Sequence, residues 1–437
     1  MFFYYLQLGG RSLSRNPVVT LLIVLLIAVG VAGSVTTFAV LRAVSADPLP
    51  ERSARLFVPQ IDNRGPNRVT TDREPDPDMT YRDVAALRGR RAASPQTAIY
   101  SITLSAVPAD LELQPVSAKG YAVNADFFRM FAVPFEYGGA WSRESDDVGG
   151  SEVVIGHDLN RKFFRGSNSV GKEISLAGHT YRVSGVLNEW NPLPRFYAAP
   201  WVQAYAPPAQ VFIPFQRAID LKVPTTGGTL CAFNYTGTGW DDLIQSECSW
   251  IAFWIELPDH DAVVRFRTYL TAYAEEQRAS GRFDWPANVR VYDLRQWLKY
   301  MHAVPAETRI SFIVALGLLL VCTVNTVGLL LARFMRHAPD IGVRRALGAS
   351  AAAIYAQYLT ESGIVGLAGG LLGVLLTEFG IRGLRFVFEA RVARIVHPDA
   401  GILSVAILLA LGVSLVAAAY PVWRASRIQP AWQLKVG

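Results

Sequence analysis

The sequence predicts an α-helical membrane protein with four transmembrane helices and a large α+β domain between the first and the second. Three observations carry this. Residues 17–41, 310–332 and 400–423 are charge-free runs of 25, 23 and 24 residues. At about 1.5 Å per residue, each is long enough to cross a bilayer as a helix. A further apolar run, residues 351–376, is interrupted only by Glu361. Between the first two runs lie the 264 residues Ala46–Arg309, which mix polar and apolar positions.

The composition agrees. The chain has 437 residues, 51% of them hydrophobic and 18% charged. That is too apolar for an ordinary soluble protein and too charged for a chain lying wholly in the membrane. The formal net charge of +6 is modest and gives no argument for a nucleic-acid partner.

Residues 1–16 set Phe2, Phe3, Tyr4, Tyr5, Leu6, Leu8 and Leu13 against Arg11 and Arg15. They read as an amphipathic helix lying on membrane lipid. Residues 17–45 form the first span. Small residues at Val44-Ser45-Ala46 would suit a cleaved signal peptide. The apolar run, however, exceeds the roughly 7–15 residues usual for one, so an uncleaved helix is expected.

In the insert at 46–309, strands are expected at Arg55–Ile61, Gln96–Val107, Leu111–Val123, Trp250–Leu257 and Asn288–Asp293. Helices are expected at Met79–Arg88, at Ala125–Phe131 with Asn124 as its cap, and at Asp259–Gln277. The order is strand-helix-strand-strand, then an insertion at about 133–249, then strand-helix-strand. This is a split, porter-like α/β unit interrupted by a β-rich segment. Within that segment Ile174 and Leu176 alternate on one strand, Ala177-Gly178-His179 turn, and Tyr181 and Val183 return. Two tracts stand out: Arg195–Gln210, rich in Tyr, Pro and Ala, and Thr225–Thr238, rich in Gly and Thr. Cys231 and Cys248 are 17 apart. If the insert lies outside the cytoplasm a disulfide is expected between them, ordering the second tract.

The second span covers 310–335, with Cys322 as a small core residue and Asn325 as its one strongly polar member. Residues 336–350 are a short basic segment. Pro339 breaks the preceding helix, Asp340 can cap a new one and Gly348 can end it in a left-handed turn. That leaves about two turns carrying Ile341, Ala346 and Leu347 as apolar residues and Arg344 and Arg345 as charges. Such a helix is marginal alone and needs something to dock on. The alternative is a plain basic loop that only sets membrane orientation. The third span, 351–379, carries two overlapping GxxxG spacings, Gly366/Gly370 and Gly369/Gly373, which permit close helix packing. An outer loop at 380–399, the fourth span at 400–423 and a tail at 424–437 complete the chain. Arg11, Arg15, Arg333, Arg336, Arg344, Arg345, Arg424, Arg427 and Lys435 lie on one side of the membrane. Arg382, Arg385, Arg391 and Arg394 lie on the other, with Glu378 and Glu389 available to pair with them. The excess puts both termini and the basic segment in the cytoplasm and the insert outside.

The stretch Asp340-Ile-Gly-Val-Arg-Arg-Ala-Leu-Gly-Ala349 resembles the cytoplasmic loop of the MacB/FtsX-like permeases, the type VII branch of the ABC transporters. Four other stretches are similar to the same family. Asn124–Gly139, Glu152–Phe164 and Val170–Leu187 resemble the MacB-type periplasmic segment, with Gly-Gly-Ala-Trp where the family often has Gly-Arg. Pro421–Lys435 resembles the family's C-terminal signature, with slight departures at Trp432 and Gln433. The resemblance implies that residues Asp340, Ile341, Gly342, Val343, Arg344, Arg345, Ala346, Leu347 and Gly348 form a coupling helix seated in a cytoplasmic ABC ATPase. Glu361, about one turn from that membrane edge, is placed to brace the helix by pairing with Arg344 or Arg345, and the resemblance supports this. It also implies a second permease, identical or paralogous, paired through the first and second spans. A periplasmic adaptor is a further partner of this class.

The chain has no Gly-x-x-x-x-Gly-Lys-(Ser/Thr) phosphate loop, so ATP and magnesium are expected on a separate polypeptide and no cofactor on this one. It has no His-Glu-x-x-His, and its six histidines show no ligand spacing. His157 and His179 are expected as surface or turn residues. An ion-coupled transporter is disfavoured, because only Glu361 and Asn325 are strongly polar within the spans and no inverted repeat is visible. The expected function is the non-catalytic permease of an ATP-driven exporter in the bacterial inner membrane. The alternative is a transmitter controlling a hydrolase or kinase without moving cargo.

Overall fold

The computed structural model describes residues 16–65, 74–90, 95–108, 113–198, 206–231, 235–282, 284–336, 338–387, 396 and 399–426. The surface helix expected before residue 16 and the tail beyond 426 lie outside these, as do Glu389, Arg391 and Arg394. The chain divides into two compact units, 1–46 with 304–437, and 47–303.

Among the described residues, the first unit contains four helices long and apolar enough to cross a membrane. They are α1 (Pro17–Val44), α10 (Ala306–Arg336), α12 (Ala351–Val387) and α13 (Ala400–Ser426). Helix α1 starts with a proline at its first position, where the missing N–H is not needed. The third span runs further than expected, to Val387. Glu378 pairs with Arg382 one turn later at 2.9 Å, as the outer arginines suggested.

The glycine spacings of α12 serve two different neighbours. A Cβ added at Gly366 or Gly370 would lie 2.6 Å from Ser414 Cβ or 3.1 Å from Ala410 Cβ of α13. One added at Gly369 would lie 2.9 Å from Ile27 of α1, and one at Gly373 3.4 Å from Val31 of α1. Two glycine rows, offset by three residues, thus let α12 approach α1 and α13 closely at once. Gly30 of α1 performs the same service toward Cys322 and Leu319 of α10, each 3.1 Å from its Cβ position. Polar contacts reinforce the packing. Ser34 Oγ donates to the Ala315 carbonyl at 3.1 Å, and Ser414 Oγ donates to the Ser362 carbonyl.

The inserted unit carries β1 (Leu56–Ile61), α2 (Tyr81–Gly89), β2 (Gln96–Val107), β3 (Val116–Val123), α3 (Asp126–Met130), β4 (Phe135–Gly138), α4 (Arg143–Val148), β5 (Glu152–Ile155) and α5 (His157–Phe164). It continues with β6 (Glu173–Leu176), β7 (His179–Leu187), β8 (Val211–Pro214), α6 (Phe215–Asp220), α7 (Trp240–Gln245), β9 (Ala252–Glu256), α8 (His260–Ala279), β10 (Val289–Asp293) and α9 (Leu294–Tyr300). All ten strands form one sheet in the order β10-β1-β9-β2-β3-β8-β5-β7-β4, with β6 bridging β2 and β7. Because β6 closes that gap, β2, β3, β8, β5, β7 and β6 form a ring of strands. The 12 residues of β2 make this possible. Its first residues, Gln96–Ile99, pair with β9, and its last two, Ala106 and Val107, pair with β6. The insertion at 133–249 therefore shares β2 and β3 with the split α/β unit.

Strand alternation sorts side chains into two cores. In β9, Phe253 and Ile255 join one cluster with Val84, Leu87, Phe266 and Leu270 of the helices. Ala252 and Trp254 join the other, an aromatic cluster with Phe127, Phe131, Phe196, Tyr197, Phe212 and Trp297. The Tyr/Pro/Ala tract is anchored there by Arg195, whose guanidinium donates to Tyr121 Oη at 3.0 Å and to the Ala206 carbonyl at 3.1 Å. A second buried polar node centres on Asp83, which accepts from Asn63, Thr80, Tyr273 and Arg282. A carboxylate so fully bonded can be buried.

Three local expectations need correction. Asn124 does not cap α3. Its side chain instead accepts the Ala98 N–H at 2.9 Å and donates to Asp146 at 3.0 Å, and α3 starts at Asp126. His179 is the first residue of β7, not a turn residue. It pairs with Leu176, and the turn is Ala177 and Gly178, with φ of 50° and 84°. The β3 strand begins at Val116, not Leu111. Cys231 and Cys248 are joined in a disulfide, and their neighbours Leu230 and Ser249 exchange backbone hydrogen bonds of 2.9 and 2.8 Å.

Two outcomes follow. Gly366→Leu lowers stability by about 1–3 kcal/mol through overpacking against α13. Gly363→Ala, with open space at its Cβ, raises it by about 0.5–1 kcal/mol. Unfolding midpoints of the full chain in detergent read both. Cys231→Ser removes a cross-link over 17 residues, worth roughly 3 kcal/mol in the chain-entropy model. Limited proteolysis should then cut within 225–238 faster while membrane insertion is unchanged; equal cutting rates would refute this.

Candidate functional site

The basic segment folds as α11 (Ala338–Ala346), set off by local signals on both sides. Helix α10 stops at Arg336, before Pro339. The new helix starts three residues earlier than a cap at Asp340 would give, with Pro339 as its second residue. Asp340 is thus inside the helix, because proline fits a first turn whose N–H groups have no helical partner. At the other end Gly348 takes φ of +99°, and the Ala349 N–H returns to the Arg344 carbonyl at 3.0 Å. This six-to-one closure is the Schellman turn. Ser350 then caps α12, its Oγ accepting the Ala353 N–H at 3.1 Å.

The faces of α11 differ. Ile341 is 2% exposed, whereas Val343 is 61% and Leu347 83% exposed. Val343 and Leu347 are four apart and share one face. Gly342 is buried, and Ala346 and Gly348 are exposed. Arg344 Nη1 donates to Gln357 Oε1 of α12 at 2.9 Å. The side chains of Asp340 and Arg345 lie outside the described residues. The expected docking set is therefore divided. Ile341 holds α11 to its own chain, while Val343 and Leu347 face outward.

Glu361 also needs correction. Its described ion pair is with Arg333 of α10, Nη2 to Oε1 at 2.5 Å, and not with Arg344. Both side chains are 2% exposed. Arg333, read as an orientation charge at the membrane edge, is thus buried in the bundle. Its Nη1 donates to Thr20 Oγ1 of α1 at 3.3 Å. Beside this pair the rings of Phe334 and Tyr358 lie 4.6 Å apart.

The inserted unit holds a separate concavity of about 710 Å³, lined by Arg88, Asp126, Arg143, Asp146, Asp147 and Phe215 among others. Burial raises the Asp146 carboxyl above its ordinary range, against hydrogen bonds from Asn124 and Trp141 and the nearby Arg88 charge. Arg88 lies over the Phe215 ring at 5.6 Å and 3.8 Å from Asp147. The sequence singles out none of these residues. The one visible signal was the charge run Arg143–Asp147.

The division of α11 is testable by stability. Ile341→Ala costs about 2–4 kcal/mol, as for other buried aliphatic truncations. Leu347→Ala changes stability by less than about 0.5 kcal/mol. Thermal unfolding of the two variants in the same detergent gives the comparison, and equal losses would contradict it.

Comparison with known proteins places this geometry in a family. The pattern of the MacB-like periplasmic core domain matches residues 20–272, and that of the FtsX-like permease C-terminal region matches residues 312–430. The chain is 28% identical over 300 residues to the macrolide export ATP-binding/permease protein MacB of Hyphomonas neptunium, across 67% of this chain and 40% of the relative. It is 30% identical over 162 residues to the lipoprotein-releasing system transmembrane protein LolC of Neisseria meningitidis serogroup B, across 32% of this chain and 39% of the relative. It is 24% identical over 325 residues to the ABC transporter permease YvrN of Bacillus subtilis, across 72% of this chain and 69% of that protein. The alignments thus span about two fifths of the first two relatives. The crystal structure of the periplasmic region of MacB from Actinobacillus actinomycetemcomitans is similar at a TM-score of 0.38 and 11% identity, covering 60% of this chain and 99% of that one. With one family pattern covering more than half of the sequence and the other most of the remainder, the chain belongs to the MacB/FtsX-like family of ABC transporter permeases.

Proposed function

We propose that this chain is the permease of an ATP-driven exporter, transmitting ATPase closure to the inserted domain, which moves a substrate outside the cytoplasm. The observation that carries it is α11. A short helix between two spans is pinned inward by Ile341 and turns Val343 and Leu347 outward. An exposed apolar pair on a marginal helix is suited to a protein groove, and the family supplies an ATPase as partner. On this reading α11 and both chain ends face the cytoplasm, and ATP and magnesium are held by the ATPase.

A second permease completes the reading. Helix α10 leaves Gly317 and Gly328 with open space at their Cβ positions. Asn325 is exposed on the same helix. An amide in lipid gains by hydrogen bonding to another helix. These features support pairing through α10, by a copy or a paralogue. A periplasmic adaptor is compatible with an exporter of this class.

The test is co-purification. Val343→Asp with Leu347→Asp should abolish association with the ATPase while the chain still inserts and keeps its unfolding midpoint. An ATPase that co-purifies undiminished would refute the docking role. Cargo uptake by inverted vesicles holding the whole complex separates export from transmission without cargo. An active complex that moves nothing would favour the transmitter.

A further inference from the structure

The described contacts form two polar links one turn apart on α12, one to α11 and one to α10 and through it to α1. Arg344 of α11 donates to Gln357 of α12 at 2.9 Å. One turn along the same helix stands Glu361, four residues on. Glu361 binds Arg333 of α10 at 2.5 Å, and Arg333 reaches Thr20 of α1 at 3.3 Å. Arg333 is the branching point. Its two terminal nitrogens serve two different helices, held apart in the planar fork of a guanidinium, where an ammonium would have to reach both acceptors from one nitrogen.

Stability alone is a poor reason for such an arrangement. Burying an ion pair carries a large desolvation cost, and well-packed apolar residues often replace one without loss. Glycine packing already holds α12 against α1 and α13. What the ion pair adds is direction. It links α10 and α12 at the end next to α11, so a displacement of α11 cannot move α12 without pulling α10 and α1.

We propose that Arg344, Gln357, Glu361, Arg333 and Thr20 form a transmission joint that makes α1, α10 and α12 follow α11 as one body. These are positioning residues. The inference rests on the docking role of α11 and deepens it, by naming how the movement enters the bundle.

The experiment uses the full chain in nanodiscs with its co-purified ATPase and an environment-sensitive fluorophore on Val148→Cys, an exposed position of the inserted domain. The readout is the change in fluorescence when ATP and vanadate trap the ATPase closed. Thr20→Val is nearly isosteric and removes the hydroxyl that accepts from Arg333 and donates to the Asn16 carbonyl at 3.0 Å, and Thr20→Ser restores both bonds. Thr20→Val and Glu361→Gln should reduce the fluorescence change about fivefold or more, with ATPase binding unaltered. Thr20→Ser should keep the full change. Arg333→Lys, which keeps the charge and loses the fork, should behave as Thr20→Val does. A full response in Thr20→Val and Glu361→Gln would overturn the joint. So would loss of ATPase binding in Thr20→Val, since the hydroxyl would then serve docking. If the unaltered chain binds no ATPase, the reading of α11 fails first, and the joint with it.

Discussion

Close approach of α12 to two neighbours at once is the constraint on which the membrane unit depends. In lipid there is no hydrophobic drive between apolar helices, so association rests on contact and on internal hydrogen bonds. Glycine at 366 and 370 opens one face to α13, and glycine at 369 and 373 opens another to α1. A side chain on either row would hold the backbones apart and weaken every contact made further along. The polar contacts depend on that approach. Arg333 of α10 reaches Glu361 of α12 and Thr20 of α1.

The inserted unit is organised by a different device. A single long strand, β2, belongs to the sheet of the split α/β unit at one end and to the ring of strands at the other. Side chains on its two faces enter different cores, Tyr100 and Ile102 one, Ile99 the other. The two halves of the domain therefore share a backbone hydrogen-bond network. Movement imposed on one half is carried to the other by a strand and not by a linker.

On the proposed function, force from an ATPase enters the membrane unit at α11. The features of α11 fit the entry point: local stop signals, an inward anchor at Ile341 and an outward apolar pair at Val343 and Leu347. A helix this short has little stability of its own. Its orientation comes from what it touches, which is why Arg344 and Gln357 matter as much as the exposed pair.

The sequence by itself determined everything that short-range physics controls. Three charge-free runs and a fourth broken only by Glu361 pointed to four membrane helices, whatever their partners. Pro339 and Gly348 delimited α11 within two residues, because proline and a left-handed turn act on the backbone where they stand. Period-two alternation located β2, β9 and β10, and the helix expected from Asp259 is α8, which the structure shows capped by Asp259 through the Ala262 N–H at 2.8 Å. The tertiary structure decided what depends on residues far apart in the chain. Position suggested Arg344 or Arg345 as a partner for Glu361; the described partner is Arg333, 28 positions away, and the Arg345 side chain lies outside the described residues. The spacing of the glycines showed that helices pack closely there and could not show that each row meets a different helix. Nothing in the order of strands revealed that β6 returns to β2 and closes a ring. Local preferences are written residue by residue, whereas pairing across long loops is set by which surfaces fit when the whole chain is folded.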